Sequence, residues 1–413
     1  MLSFLSKYAH PFEKQVDTFF KHISSTSDPQ KVHKSIERLL QKNVVVVNLW
    51  MEKRFKNYRY LSNAKRKKLY ANTETIVEAF IKFQEAHKSN PDNLHQIFIT
   101  HQVSYPEQYS EHLAYIDAIM NFLKPGGNYH YIKSATFGKL LQNPAQGKLT
   151  GDCNQIVTLY VYLYSLKYPI TDLQIKILPE HVCLHFKGID IEATTATFTK
   201  YTEFDYTAPI SELLSVNLLD VSDFRETTAT ISEHSIVKSA ELAYTVSSMR
   251  ELVTRNLRIS YHNLALVTTE RKNFKTAMFY AKKNGDQKLL EYVNYRATMH
   301  YVENKMYDKA RYYAKQSGDA KLNSFVITNE ANRYLKKGSY KKARGIYQKV
   351  GDARMVQVTY QQEYNSLVKT VQALKTVEQM KKRKTTYRTL LQLAQKGGLS
   401  EQMNQIRNVL KQL

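Results

Sequence analysis

The chain has 413 residues, 43% of them hydrophobic, with only 9 prolines, 13 glycines and no low-complexity tract, so it is long and apolar enough for two or three folded domains and is not a disordered polymer. Two cysteines, Cys153 and Cys183, are too few for a disulfide framework or a cysteine-rich zinc site. The net charge of +23 is uneven: residues 240–413 hold 33 Lys+Arg against 13 Asp+Glu, and residues 1–239 hold 27 against 24, which predicts two parts with different tasks.

Residues 1–127 read as a helical region. Asp28-Pro29-Gln30 is an N-cap followed by proline in the first turn, and Val32, Ile36, Leu39 and Leu40 recur at helical spacing behind it. A second helix is expected from about Lys65 to His87, with Ile76, Ala79, Phe80 and Phe83 on one face and Asn90-Pro91 as its terminator. A third runs from Glu107 to Leu123 and stops at Pro125-Gly126-Gly127. The opening apolar run is too short for a secretory signal, and the longest runs, such as Val44–Val47, fall far short of the ~20 residues that span a bilayer. The expected setting is therefore cytoplasmic, with no transmembrane segment.

Residues 128–150 are polar and loop-like, and Ile156–Leu166 is an almost continuous apolar helix. Three short strands are expected after it, Leu173–Leu178, His181–Phe186 and Ile189–Glu192, with a turn at Lys187-Gly188. Beyond residue 200 the sequence is polar and irregular, and long helical patterns return near residue 230. The domain reading is 1–127, 128–225 and 226–413.

The last part repeats. NFKTAMFYAKKNGD, MYDKARYYAKQSGD and SYKKARGIYQKVGD align Phe274 with Tyr307 and Tyr340, Ala277 with Ala310 and Ala343, and Gly285 with Gly318 and Gly351, always 33 residues apart. A fixed period in the range of ~20–50 residues marks stacked supersecondary units. The alanine lets two helices approach, the aromatic three residues earlier fills a groove, and Gly-Asp closes the second helix. The pattern resembles tetratricopeptide repeats, with glycine, aromatic and alanine all present at Gly338, Tyr340 and Ala343, while Lys272 and Lys305 replace the glycine in the other two units. Ala265 and Ala331 fit the small position of the first helix, and Thr298 fits it loosely.

The chemistry-bearing segment is GDCNQIVTLYVYLYSLKYP followed by LPEHVCLHFKGIDIEATT. Cys153 stands at a helix start, where free N–H groups and the helix dipole favour thiolate, so its pKa is expected to fall. His181, Cys183 and His185 alternate along one strand and therefore share a face; Asp190 and Glu192 share a face of the next. A carboxylate there can orient an imidazole, but spacing leaves open which histidine pairs with which acid. Four residues, Cys153, His181, Cys183 and His185, also have metal-ligand chemistry, without the spacing of structural zinc sites.

Gly-x-Cys at a helix start, a histidine early in a strand and an acid followed by x-Thr on the next strand resemble the transglutaminase-like superfamily. The resemblance covers residues 151–195 and implies a papain-like core with a Cys-His-acid triad that hydrolyses or transfers amide bonds through a thioester. It implies Cys153 as nucleophile, His181 as base and Glu192, heading Glu-Ala-Thr where the family usually has Asp-Pro-Thr, as the orienting acid; His185 and Asp190 are the fallback. The Cys153 N–H and Gln146 are the oxyanion candidates. No cofactor and no metal are expected, since no calcium-loop motif is present.

The expected fold is an α+β papain/transglutaminase-like domain with a helical N-terminal part, followed by an all-α TPR-like solenoid. The expected function is a transglutaminase-like cysteine hydrolase or acyltransferase whose basic repeats recruit a protein or peptide with an acidic surface. The alternative is a non-catalytic scaffold of the same fold carrying a binding module, with nucleic acid less favoured than protein because no nucleic-acid motif is visible.

Overall fold

The computed structural model describes residues 7–133, 136–202, 206–220 and 232–413. It divides into two compact units, Met1–Leu264 and Ala265–Leu413. The first is helical with a small antiparallel sheet in its second half; the second is entirely helical.

The first unit begins with α1 (Pro11–His22), α2 (Pro29–Met51), α3 (Asn63–Ala86), α4 (Pro91–Thr100) and α5 (Ser110–Phe122). As expected, the Asp28 carboxylate accepts the Gln30 N–H at 3.0 Å and Pro29 occupies the first turn of α2. Asn43 interrupts α2 with extended backbone, and its side chain accepts the Val46 N–H at 2.9 Å, which restarts the helix. The restarted half is the centre of the unit: Val44 to Met51 is buried without exception, each large apolar side chain contributing about 1.5–3 kcal/mol. One hydrophobic cluster extends from Phe12 to Val253, so the N-terminal helices and the central block share a core.

Helix α3 ends at Ala86, with His87 as its cap, ahead of Asn90-Pro91, and that pair instead begins a helix that the sequence reading lacked. The Asn90 side chain accepts the Asp92 N–H at 2.9 Å, and α4 buries Leu94 and Phe98. The stretch 128–150 is likewise not a solvated loop. It contributes β1 (Tyr129–Tyr131), α6 (Phe137–Leu140) and β2 (Leu149–Gly151), with β1 and β2 paired in parallel and Tyr129, Phe137, Leu140, Leu141 and Leu149 fully buried.

Helix α7 (Cys153–Ser165) leads into β3 (Gln174–Leu178), β4 (His181–Phe186), β5 (Ile189–Glu192), β6 (Thr197–Thr199) and β7 (Tyr206–Pro209). These five form one antiparallel sheet in the order β6-β5-β4-β3-β7. Two-residue turns join the central strands, with Glu180 at φ +55°, Lys187 at +47° and Gly188 at +94°. Val182, Leu184 and Phe186 belong to the main core, where the Phe186 ring meets Tyr164 of α7 edge to face. Helices α8 (Leu213–Leu219), α9 (Glu233–Val246) and α10 (Arg250–Glu270) follow.

In the second unit α11 (Phe274–Asn284), α12 (Gln287–Glu303), α13 (Tyr307–Ser317), α14 (Ala320–Lys336), α15 (Tyr340–Lys349) and α16 (Ala353–Val368) alternate short and long. The end of the chain adds α17 (Val377–Lys381), α18 (Lys384–Gly397) and α19 (Ser400–Gln412) around Tyr364, Tyr387, Leu390 and Ile406. The repeat positions take matching roles: Ala277, Ala310 and Ala343 have no exposed surface, nor do Ala265, Thr298 and Ala331. Gly285 and Gly318 close the short helices in the left-handed region. The aspartates of Gly-Asp do something else: Asp286, Asp319 and Asp352 cap the N-termini of the long helices that follow. Between α13 and α14 Arg311 pairs with Glu330, and 33 residues later Arg344 pairs with Glu363.

The turn before each short helix also demands a left-handed residue. Gly338 supplies it at φ +72°, whereas Lys272 and Lys305 adopt φ +60° and +59° with a side chain present. An L side chain costs roughly 1–2 kcal/mol there, partly offset by the greater freedom of glycine when unfolded. Lys305→Gly should therefore raise stability by about 0.5–1 kcal/mol in urea denaturation. Gly338→Ala should lower it, since an added Cβ meets nothing nearer than the Tyr340 ring at 3.9 Å and the cost is purely conformational. Equal stabilities for all three chains would show that the turn is relaxed.

Candidate functional site

Cys153 is the first residue of α7, and the segment before it is pinned. The Gly151 carbonyl accepts the Tyr129 hydroxyl at 2.7 Å and the Ile132 N–H at 2.8 Å. A Cβ on Gly151 would lie 3.2 Å from the Gln155 Cβ and 3.3 Å from Leu140, so a side chain here would press on α7 and on α6. Asp152 and Gln155 form a capping box: Asp152 accepts the Gln155 N–H at 3.4 Å, beside that of Asn154 at 3.0 Å, and the Gln155 side chain accepts the Asp152 N–H at 3.0 Å.

The sulfur of Cys153 meets the N–H groups of Asn154 and of Val182, the residue after His181. These donors favour thiolate, as the helix start predicts. Burial and the neighbouring Asp152 carboxylate outweigh them, and the thiol is pushed up to about 12. The expectation of a lowered thiol pKa is thus reversed, first by burial and then by the negative charge that the cap of the helix start brings to the sulfur.

Each strand histidine has an acid. His181 Nε2 donates to Glu192 Oε2 at 2.6 Å, and His185 Nδ1 donates to Asp190 Oδ1 at 2.7 Å. The pairs open into different spaces. Cys153 and His181 line one cleft of about 700 Å³, together with Leu178, Val216, Leu252 and Val253 as apolar wall and Glu180, Glu212 and Asp220 as acidic wall. His185 lines a separate cavity of about 320 Å³ with Glu37, Asp172 and Lys187. Gln146, in a short turn of 3-10 helix, is exposed and is not among the cleft residues, so the second oxyanion candidate is withdrawn.

Glu192 is held from several sides. Its Oε2 also accepts the Tyr201 hydroxyl at 2.8 Å, and its Oε1 accepts the Thr194 N–H at 3.1 Å and the Thr194 hydroxyl. Burial works to raise this carboxyl, but the bonds from His181, Thr194 and Tyr201 prevail and hold it below its ordinary value. Asp190 follows the same logic. Burial is opposed by His185, by the Tyr201 N–H at 2.8 Å and by Lys176 Nζ at 3.1 Å, and the carboxyl is lowered. Lys176 in turn donates to the Tyr201 carbonyl at 2.7 Å, so the chain at Tyr201 clamps both acids.

Sequence reasoning assigned no role to Lys176 or Tyr201. A lysine inside the apolar run Gln174–Leu178 was the available signal for Lys176; Tyr201, in a polar stretch, left none. Cys183 is fully buried, both cysteines are free, and burial pushes the Cys183 thiol up as well. Among the described residues no group of three or more His, Cys, Asp or Glu side chains is arranged to hold a metal ion, and no helix is long and apolar enough to cross a membrane. Compared with known proteins, the chain matches no protein-family model, no curated protein and no solved structure.

Proposed function

We propose that the first unit is a transglutaminase-like thiol enzyme, with a papain-like arrangement of Cys153 helix, His181 strand and Glu192 strand, that cleaves or exchanges an amide bond. The observation that carries the reading is the His181–Glu192 pair opening into the same cleft as Cys153. With Nε2–H committed to Glu192, Nδ1 is the basic nitrogen of His181. Cys153 sulfur attacks the amide carbonyl while its proton passes to His181; the C–N bond then breaks, the amine leaves with that proton, and a thioester remains. Water or a second amine, deprotonated by His181, attacks the thioester carbonyl, and the sulfur departs as thiol. Because the resting thiol sits at about 12, proton transfer accompanies attack rather than preceding it. The second unit, read as TPR-like, brings a protein partner to this enzyme in a cytoplasmic setting.

The raised thiol also favours a second reading, a scaffold in which Cys153 is inert. Alkylation by iodoacetamide separates the two. Cys153 modification is followed across pH by peptide mass spectrometry on wild type and His181→Ala, with buried Cys183 as internal standard. The enzyme reading expects Cys153 to react at neutral pH and to slow at least about tenfold without His181. Equal rates in both chains, rising only at alkaline pH, would leave the scaffold.

A further inference from the structure

The 33-residue register extends to the exposed faces of the long helices. Lys288, Lys321 and Arg354 occupy equivalent places in the first turns of α12, α14 and α16. Four residues on stand Tyr292, Phe325 and Val358; three further on, Tyr295 gives way to Thr328 in the next repeat. Tyr292, Tyr295 and Phe325 leave 38%, 50% and 39% of their surface exposed, which buried packing positions of a repeat do not do. A hollow of about 610 Å³ lies among Lys288, Tyr292, Tyr295, Gly318 and Leu322. Long helices α12 and α14 touch each other while short helices α11 and α13 scarcely do, so the exposed residues of this long-helix pair stand side by side. A second exposed column, Phe279 and Tyr312 on the short helices, ends at Gly345, and Lys283 already sits 5.1 Å from the Phe279 ring.

We propose that the long-helix face of the second unit binds a polypeptide segment in which acidic residues accompany apolar ones. Charge complementarity identifies the occupant: this unit holds 30 Lys+Arg against 11 Asp+Glu, and one turn before each of Tyr292, Phe325 and Val358 stands a cation. Carboxylates of the partner meet Lys288, Lys321 and Arg354, and its apolar side chains fill the hollow beside Tyr292 and the surface at Phe325. Single-stranded nucleic acid is disfavoured because the exposed positions pass from tyrosine to threonine and from phenylalanine to valine along the stack, instead of offering a stacking ring at each level. The inference does not depend on Cys153 chemistry.

The test uses the full chain carrying Cys153→Ser, so that binding is read apart from any reaction. Fluorescence anisotropy is measured with a short labelled peptide repeating Glu-Glu-Phe, with Ser-Ser-Phe and Glu-Glu-Ser counterparts, and with labelled oligothymidylate. The Glu-Glu-Phe peptide should bind at least about tenfold tighter than either counterpart. Tyr292→Ala with Phe325→Ala, and separately Lys288→Glu with Lys321→Glu, should each weaken it at least about tenfold. Tyr292→Phe should retain binding, as should Lys282→Glu with Lys315→Glu on the short helices. The proposal is overturned if no peptide binds, if Glu-Glu-Ser binds equally, if the short-helix pair matters as much, or if oligothymidylate is the tighter ligand and needs Tyr292 and Phe325.

Discussion

Glu13→Ala is expected to lower the unfolding free energy of the first unit by about 3–5 kcal/mol, among the largest losses for a single side chain in this protein. Arg66 is 2% exposed and Glu13 is fully buried. The guanidinium meets both carboxylate oxygens, Nε to Oε1 at 2.7 Å and Nη2 to Oε2 at 3.1 Å. Its remaining bonds go to the Leu61 and Lys7 carbonyls at 2.7 and 3.0 Å. Glu13 also accepts the Tyr70 hydroxyl at 2.6 Å and the Ala9 N–H at 2.7 Å, and burial followed by the Glu13 charge raises the Tyr70 phenol. Removing the acid leaves a desolvated cation and two orphaned donors, which is why breaking the pair costs far more than the pair is worth. Replacing both partners, Glu13→Leu with Arg66→Met, should recover much of the loss. Urea denaturation of the three chains checks this; a loss under about 1 kcal/mol for Glu13→Ala would mean that water reaches Arg66.

What could be read from the sequence was local. The strands 174–178, 181–186 and 189–192 follow from alternation and from two-residue turns, and the repeat positions follow from strict phase. Helix α4 escaped because Asn90-Pro91 reads as a helix stop but here starts one, with an amide cap and a proline in the first turn. The burial of Tyr129, Phe137, Leu140 and Leu149 escaped because β1, α6 and β2 are only 3, 4 and 3 residues long, too short to show a period. Asp152 was visible, but as a cap; its effect on the sulfur depends on how far burial removes water from both, which no spacing conveys. Tyr201 reaches Glu192 and Asp190 from beyond a separate strand, so its role is purely tertiary.

Spacing alone left the pairing of the two histidines and two acids open, with His185 and Asp190 as the fallback to His181 and Glu192, and substitutions of the acids separate them. Glu192→Ala should cost about 2–4 kcal/mol, because His181, Thr194 and Tyr201 lose a shared buried acceptor. It should also slow His181-dependent alkylation of Cys153 at least about tenfold, since the imidazole loses the group that fixes its tautomer. Asp190→Ala should cost about 3–5 kcal/mol, as Lys176 is left charged and buried, yet leave the alkylation rate within about twofold because His185 faces another cavity. Acid titration supplies an independent readout. The Glu192 carboxyl lies below its ordinary value of 4.5, so its stabilisation is complete above 4.5 and is lost as pH falls through the lowered value. Glu192→Gln removes that step, and the variant's unfolding free energy should fall less steeply than wild type as pH is lowered below 4.5. If Asp190→Ala, and not Glu192→Ala, silenced Cys153, the base would be His185, and the cleft shared by Cys153 and His181 would not be where the chemistry occurs.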